Sequence, residues 1–395
     1  MYNSVMKQGK NYEASEGRNE PPFKRMVLPQ GAEKNNDAPR IVLVLGDVGS
    51  VDYILPVLPR LNASVTILAD AGGAAVHALV QHGATEASSS DDPFQDASLV
   101  LCGTAGKSFR AWRHATLEAK KRDIPCVWFG DFFGSGSEEG MRDLVPDWIA
   151  LFDQSSKILF KTFHPDFPEE RIEVVGNPSF DRVRPTDEAA RKSIRDGLGI
   201  RDGEKLVVYA ASSMGQFDLE RESVNVLVPW IKKHGYRLAV FFHPNDAKEN
   251  KVHIQRMQET IRQTLGSLHV STGSKRASDI APAADMYVTN YSTEGVRACL
   301  RGIPTGFLMG DTAQAYQRSR GGEFPFFPIL TTDGLTPALG IFAPNQIEHL
   351  RAASDPRYVA RMRGALLSRP EFRSFTDGGA TDRAVTFFNN VLSKK

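Results

Sequence analysis

The stretch AADMYVTNYSTEGVRACLRGIPTGFL, residues 283–308, reads as a short apolar strand, a burst of small hydroxylated residues, a helix that ends at a glycine, and a second strand. Asn290, Ser292, Thr293 and Glu294 stand at the first strand-to-helix junction. Unpaired backbone N–H groups at a helix N-terminus favour Ser or Thr as the cap and an acid in the first turn. The same N–H groups and hydroxyls suit a phosphate or a ribose. Strand, junction, helix and strand in this order is the repeating unit of a parallel α/β sheet, and the flanking sequence repeats it.

From RIVLVLGDVGS onward, short apolar runs alternate with amphipathic stretches: IVLVLG, SVTILAD, SLVLCGT, PCVWFGD, WIALFD and IEVVGNPSFD. The pattern restarts after DEAARKSIRDGLGI with KLVVYAASSMG, RLAVFFHPND, LHVSTG, DMYVTNYS and PTGFLMGD. Val/Ile/Leu runs separated by helices predict parallel strands covered on both faces. The expected fold class is α/β, with two tandem Rossmann-like, doubly wound domains and a cleft between them. The expected boundaries are a disordered polar tail over 1–39, an N-terminal acceptor-binding domain over 40–182, a C-terminal donor-binding domain over 183–378, and a final helix over 379–395. Ala384, Val385, Phe387, Phe388 and Val391 give that helix an apolar stripe, which is expected to pack back on the first domain. Ligands of such sheets bind beyond the C-terminal strand ends, so chemistry is sought in the loops there.

At 395 residues the chain exceeds what one core usually organises, and 41% hydrophobic content fits a globular protein. A net charge of +1, with both signs interspersed, creates no field for nucleic acid or an anionic membrane. Cys102, Cys126 and Cys299 lie inside apolar patterns without CxxC spacing, as buried thiols in a reducing compartment would. No apolar run approaches the roughly 20 residues that span a bilayer. The N-terminal stretch lacks a signal-peptide core, so a cytoplasmic protein is expected.

GTAGKS at 103–108 fails the P-loop template, which requires glycine where Leu101 stands. GDVGS at 46–50 is one glycine short of GxGxxG, although Asp70 ends the next strand where a ribose-binding acid would stand. Gly46 and Gly49 there suit a tight turn that lets backbone approach a ligand. In FFHPND, His243 ends an apolar strand, level with Ser292 and with the AASSMG loop at 210–215. Ser212, Ser213, Gly215, His243 and the helix N-terminus at Ser292, Thr293 and Glu294 together suit a diphosphate, which wants many donors and little bulk. Asp131 ends the run CVWF before a glycine-bearing loop, as a general base would, or a plain cap or solvated loop acid. No metal-ligand spacing and no GxSxG appear, and DDPFQD at 91–96 reads as a solvated loop.

The ordered set LVVYAASSMG, LAVFFHPND and AADMYVTNYSTEGVRACLRGIPTGFL resembles the nucleotide-binding half of GT-B glycosyltransferases. It is most similar to the CDP-glycerol glycerophosphotransferase and UDP-N-acetylglucosamine 2-epimerase groups. RIEVVGNPSFDRV resembles their hinge, and GDVGS with GTAG and RDIPCVWFGDF their acceptor half, so the resemblance covers about 40–310. It implies a nucleotide sugar or CDP-polyol donor held by the second domain near His243 and Ser292–Glu294, and an acceptor of unspecified kind in the first. Arg297 stands where many of these proteins carry a ribose-holding glutamate, with Glu294 one turn earlier. The glycerophosphotransferases usually have Asp at the position of Asn290, and often a basic residue in the AASSMG loop.

Three functions follow. The first is a metal-independent transferase of a sugar or polyol phosphate, with the nucleotide-activated donor as substrate, no other cofactor, and Asp131 as base. The second is a UDP-sugar 2-epimerase, for which Asp131 and Asp47 are the assignable carboxylates. The third is a catalytically silent GT-B-like binding protein. A homo-oligomer is compatible with each.

Overall fold

A computed structural model describes residues 23–29, 38–71, 74–88, 91–104, 109–137, 142–211, 217–242, 251–273, 275–315 and 338–394, with backbone alone at 109, 110 and 217. The described residues gather into two compact units, one within 1–51 and 62–127, the other within 52–61 and 128–395.

The first sheet contains β1 (Phe23–Val27), β2 (Arg40–Leu45), β3 (Ser64–Asp70), β4 (Thr85–Glu86), β5 (Leu99–Gly103), β6 (Cys126–Phe129), β7 (Trp148–Leu151) and β8 (Ile172–Val174). Its strand order is β4-β1-β3-β2-β5-β6-β7-β8. β2 pairs in parallel with both β3 and β5, and β7 with β8. The central runs RIVLVL, LVLCG and CVWF are buried almost throughout, as strands covered on both faces must be. The expectation of a structureless tail to residue 39 is corrected over β1, which pairs antiparallel with β3 and β4. Met26 is buried there, Lys24 meets Glu86 at 2.8 Å, and the Phe23 ring lies 5.4 Å from that of His114.

The second sheet contains β9 (Leu206–Ala210), β10 (Arg237–Phe241), β11 (Met286–Thr289), β12 (Thr305–Leu308) and β13 (Leu339–Ile341), in the order β10-β9-β11-β12-β13. Every neighbouring pair is parallel. LHVSTG contributes only a parallel bridge between His269 and Leu238, placed outside β10 where a third strand would stand. The order is therefore that of a Rossmann sheet, reversing direction between β9 and β11. The expectation of two Rossmann-like sheets of mainly parallel strands holds. None of the described helices is long and apolar enough to cross a membrane.

Two helices make further contacts. The last helix, Ala380–Leu392, buries Ala384, Val385, Phe387, Phe388 and Val391. Its Phe388 ring lies 6.2 Å from Phe129, and its Phe387 ring 6.3 Å from Trp148. Lys233 and His234 close the helix Phe217–His234 and reach Glu348, with His234 Nε2 3.0 Å from Oε2. The Lys233 bond, then the His234 bond, hold the Glu348 carboxyl down to about 2 from its ordinary 4.5. A carboxyl depressed in the fold stabilises above its unfolded value and loses that contribution as pH falls towards the folded one. Glu348→Gln is accordingly expected to melt below the parent at neutral pH and to converge with it between pH 4.5 and about 2. Calorimetric melting across that range checks it, and a difference independent of pH would contradict it.

Candidate functional site

The junction after β11 lies at the reversal point of the second sheet. Asn290, which is 1% exposed, is fully committed to the fold. Its Nδ2 donates to Ser223 Oγ at 3.0 Å and to the Leu308 carbonyl at 2.9 Å, while its Oδ1 accepts from the Tyr209 hydroxyl at 3.2 Å. Thr289 Oγ1 donates to the Ala210 carbonyl at 2.6 Å, tying the ends of β9 and β11 together, and the Tyr291 hydroxyl donates to the Ala313 carbonyl. Ser292 is the N-cap of the helix Thr293–Leu300, its Oγ accepting from the Glu294 N–H at 3.2 Å. The cap orients the first turn, and Thr293 and Glu294 follow it at the positive end of the helix. A recess of about 60 Å³ opens along the same sheet edge, lined by Glu222, Asn290, Leu308, Gly310 and Phe342 among others.

Glu294 does not stand alone. Its Oε1 accepts from Arg297 Nη1 one turn later. Arg297 Nη2 donates to Ser179 Oγ at 2.7 Å and lies 3.5 Å from Asp52 Oδ2, and the guanidinium carbon sits 5.3 Å from the Phe180 ring centroid. Burial is the largest influence on Arg297 and opposes its charge, but Glu294 and Asp52 outweigh it and hold the group above its ordinary value. Glu294 Oε2 and Arg297 Nε are buried without a hydrogen-bond partner among the described residues. An unpaired buried carboxylate oxygen at a helix N-terminus is an acceptor in want of a donor.

Asp131 lies two residues beyond β6, whose Trp128 and Phe129 are buried, and is itself 8% exposed. Its carbonyl accepts from Asn177 Nδ2 at 2.8 Å. Burial holds the Tyr53 phenol above its ordinary value, and the negative charge of Asp131 adds to that shift. Gly46 is buried just beyond β2, and Gly49 lies in the helix Val48–Ile54. The intervening Asp47 accepts from the Ser50 N–H at 2.9 Å, so this turn is a capped helix start. Ser212, Ser213, Gly215 and His243 lie outside the described residues. The three cysteines are buried thiols, and burial pushes the Cys299 thiol up to about 12. Among the described residues no group of three His, Cys, Asp or Glu could hold a metal ion.

Sequence reading had no role for Asn177, Ser179 and Arg297 as a connected set. Two signals were present: the i, i+3 spacing of Glu294 and Arg297, which suits an ion pair on one helix face, and the GNPSF turn, whose Asn177 caps the short helical turn Pro178–Phe180.

No protein-family model matches the sequence, and no curated protein is detectably similar to it. Solved structures are. A glycosyltransferase from Rickettsia africae aligns over 91% of this chain and 98% of its own, with a TM-score of 0.59 and 10% identity. The UDP-GlcNAc 2-epimerase from Neisseria meningitidis, bound to UDP-GlcNAc, aligns over 89% of this chain and 100% of its own, with a TM-score of 0.59 and 12% identity. The chain has the GT-B fold. The wall teichoic acid polymerase TagF, solved with CDPG, aligns with this GT-B chain over 90% of it and 89% of its own, at a TM-score of 0.51 and 13% identity. These three proteins carry a transferase, an epimerase and a polymerase name, so the GT-B fold by itself does not choose the reaction.

Proposed function

We propose that the protein is a GT-B-type transferase that moves a sugar or polyol phosphate from a nucleotide-activated donor to an acceptor. The observation that carries the reading is the helix N-terminus at Ser292–Glu294, standing at the reversal point of an all-parallel sheet. A Rossmann-type sheet binds ligands at that point, and helix N–H groups with a net positive end favour a diphosphate there. As the donor bond breaks, negative charge develops on the departing nucleotide, and preorganised N–H groups stabilise it without reorganising. The donor is consumed as a substrate, so the reading calls for no further cofactor. Ser212, Ser213, Gly215 and His243 would complete the phosphate cradle, Asp131 would take the acceptor's proton, and residues 40–182 would hold the acceptor.

Two names among the similar structures support nucleotide chemistry: one protein was solved with UDP-GlcNAc and another with CDPG. A second reading, a GT-B-like protein that binds donor without turning it over, is favoured by one observation. Arg297 engages the only acid in the first turn of the donor helix, Glu294.

Titration calorimetry with UDP, CDP and NAD tests the site. A nucleoside diphosphate is expected to bind more tightly than NAD, because the glycine fingerprint at Gly46–Gly49 is incomplete. Tighter binding of NAD than of either diphosphate would overturn the reading. Nucleotide release from a panel of nucleotide sugars and CDP-alcohols, with and without candidate acceptors, then separates transfer from silent binding.

A further inference from the structure

An unbroken chain of hydrogen bonds joins the acid-bearing strand end to the donor helix. The Asp131 carbonyl accepts from Asn177 Nδ2 at 2.8 Å. Asn177 Oδ1 accepts from Ser179 Oγ at 2.7 Å and from the Ser179 N–H at 2.9 Å. Ser179 Oγ accepts in turn from Arg297 Nη2 at 2.7 Å, and Arg297 Nη1 donates to Glu294 Oε1. Each member is held on a second side. Asn177 is 3% exposed, Arg297 lies over Phe180 and beside Asp52, and Glu294 sits in the first turn capped by Ser292. Every link uses a side chain that sits in one turn, Asn177–Phe180, or on one helix, so no link can shift without straining the next. At the helix end the chain stops at the free Glu294 Oε2, the one carboxylate oxygen of the relay still without a hydrogen bond among the described residues.

We propose that Arg297 is a positioning residue, which ties the donor-binding turn to the Asp131 strand end through Ser179 and Asn177. This rests on the donor reading above. A donor hydroxyl that bonds Glu294 Oε2 fixes the carboxylate, the carboxylate fixes the guanidinium fork, and the fork holds the Ser179 hydroxyl against Asn177. The peptide of Asp131 is then set by whether the donor turn is filled. Arginine suits this place because its planar fork serves Glu294 and Ser179 at once, which a lysine ammonium on a flexible stem cannot do with the same geometry. A coupling of this kind is a free energy shared between two sites, and it acts in both directions.

Hydrogen exchange of the full chain, read at residues 132–137, tests the relay with and without saturating UDP or CDP. Ser179→Ala is the variant of choice: it removes the hydroxyl between Arg297 and Asn177 and leaves the Arg297–Glu294 pair and the Asp131 carboxyl intact. Without nucleotide it is expected to speed exchange at 132–137 by about threefold or more, the scale of a mutation along a coupled network. Nucleotide is expected to slow those amides in the parent and to leave them unchanged in Ser179→Ala, at nearly equal nucleotide affinity. Ser179→Thr, which keeps a hydroxyl, is expected to restore the response. Exchange at 132–137 identical in parent and Ser179→Ala without nucleotide would overturn the relay, as would a nucleotide response that survives the loss of the hydroxyl. If the parent binds no nucleotide, the donor reading fails on its own while the nucleotide-free comparison still decides the relay.

Discussion

Gly176→Ala is expected to destabilise the protein by about 4 kcal/mol or more, the range reserved for a buried steric conflict. Gly176 opens the GNPSF turn at φ +88°, and a Cβ built there would lie 1.6 Å from the Ser374 carbonyl oxygen. The conformation alone costs a non-glycine residue roughly 1 to 3 kcal/mol. The contact adds to it, because the atom that must move is backbone. Arg383 Nη2 donates to that same carbonyl at 2.6 Å and Arg383 Nε to the Val175 carbonyl at 3.0 Å, so displacing Ser374 also loosens the last helix. Gly199→Ala is the control: φ there is +66°, but nothing lies within 4 Å of a built Cβ. Urea unfolding of the two variants should therefore differ by the contact and not by the backbone. Equal losses would mean that the chain relieves the Gly176 clash by a small shift, and that the turn does not lock the C-terminal segment.

What could be read from the sequence and what could not follows the range of the interactions. SVTILAD, 64–70, coincides with β3, because a short run rich in β-branched and apolar residues announces a strand by itself. FKRMV does not announce β1, since a strand of mixed polarity is chosen by its partner β3, whose paired residues lie more than 40 positions away in sequence. LGI, β13, is a run too short to carry a period. The same division holds at the site. The Ser292 cap is a local bond across two positions and was legible from composition. Asn290 was grouped with it, yet its partners Tyr209, Ser223 and Leu308 stand 81, 67 and 18 positions away, and they make it a strut between strands rather than a ligand donor. Arg297 is visible in the sequence as a departure from a family pattern and as an i, i+3 partner for Glu294. Its partners Ser179 and Asp52, 118 and 245 positions distant, are what give it a place in the fold.

Asp131→Asn is expected to lower kcat by roughly 10²-fold or more, the contribution of a positioned general base, with nucleotide affinity nearly unchanged. Asparagine keeps the size of the side chain and leaves in place the backbone carbonyl that Asn177 bonds, so the scaffold described above survives the change. The charge it removes also acts on Tyr53, whose phenol burial already holds neutral. Losing that charge therefore does not alter the ionisation of Tyr53 at neutral pH, and a fall in turnover reports on Asp131 itself. The measurement is nucleotide release with the donor and acceptor that the panel selects, alongside calorimetry with the nucleotide alone. Normal turnover would remove Asp131 from the chemistry and leave Asp47 or His114, each of which is otherwise engaged: Asp47 accepts from the Ser50 N–H at 2.9 Å, and the exposed His114 ring packs 5.4 Å from Phe23. Loss of nucleotide binding, by contrast, would mean that the donor is read at the end of β6, and that the roles given to the two sheets must be exchanged.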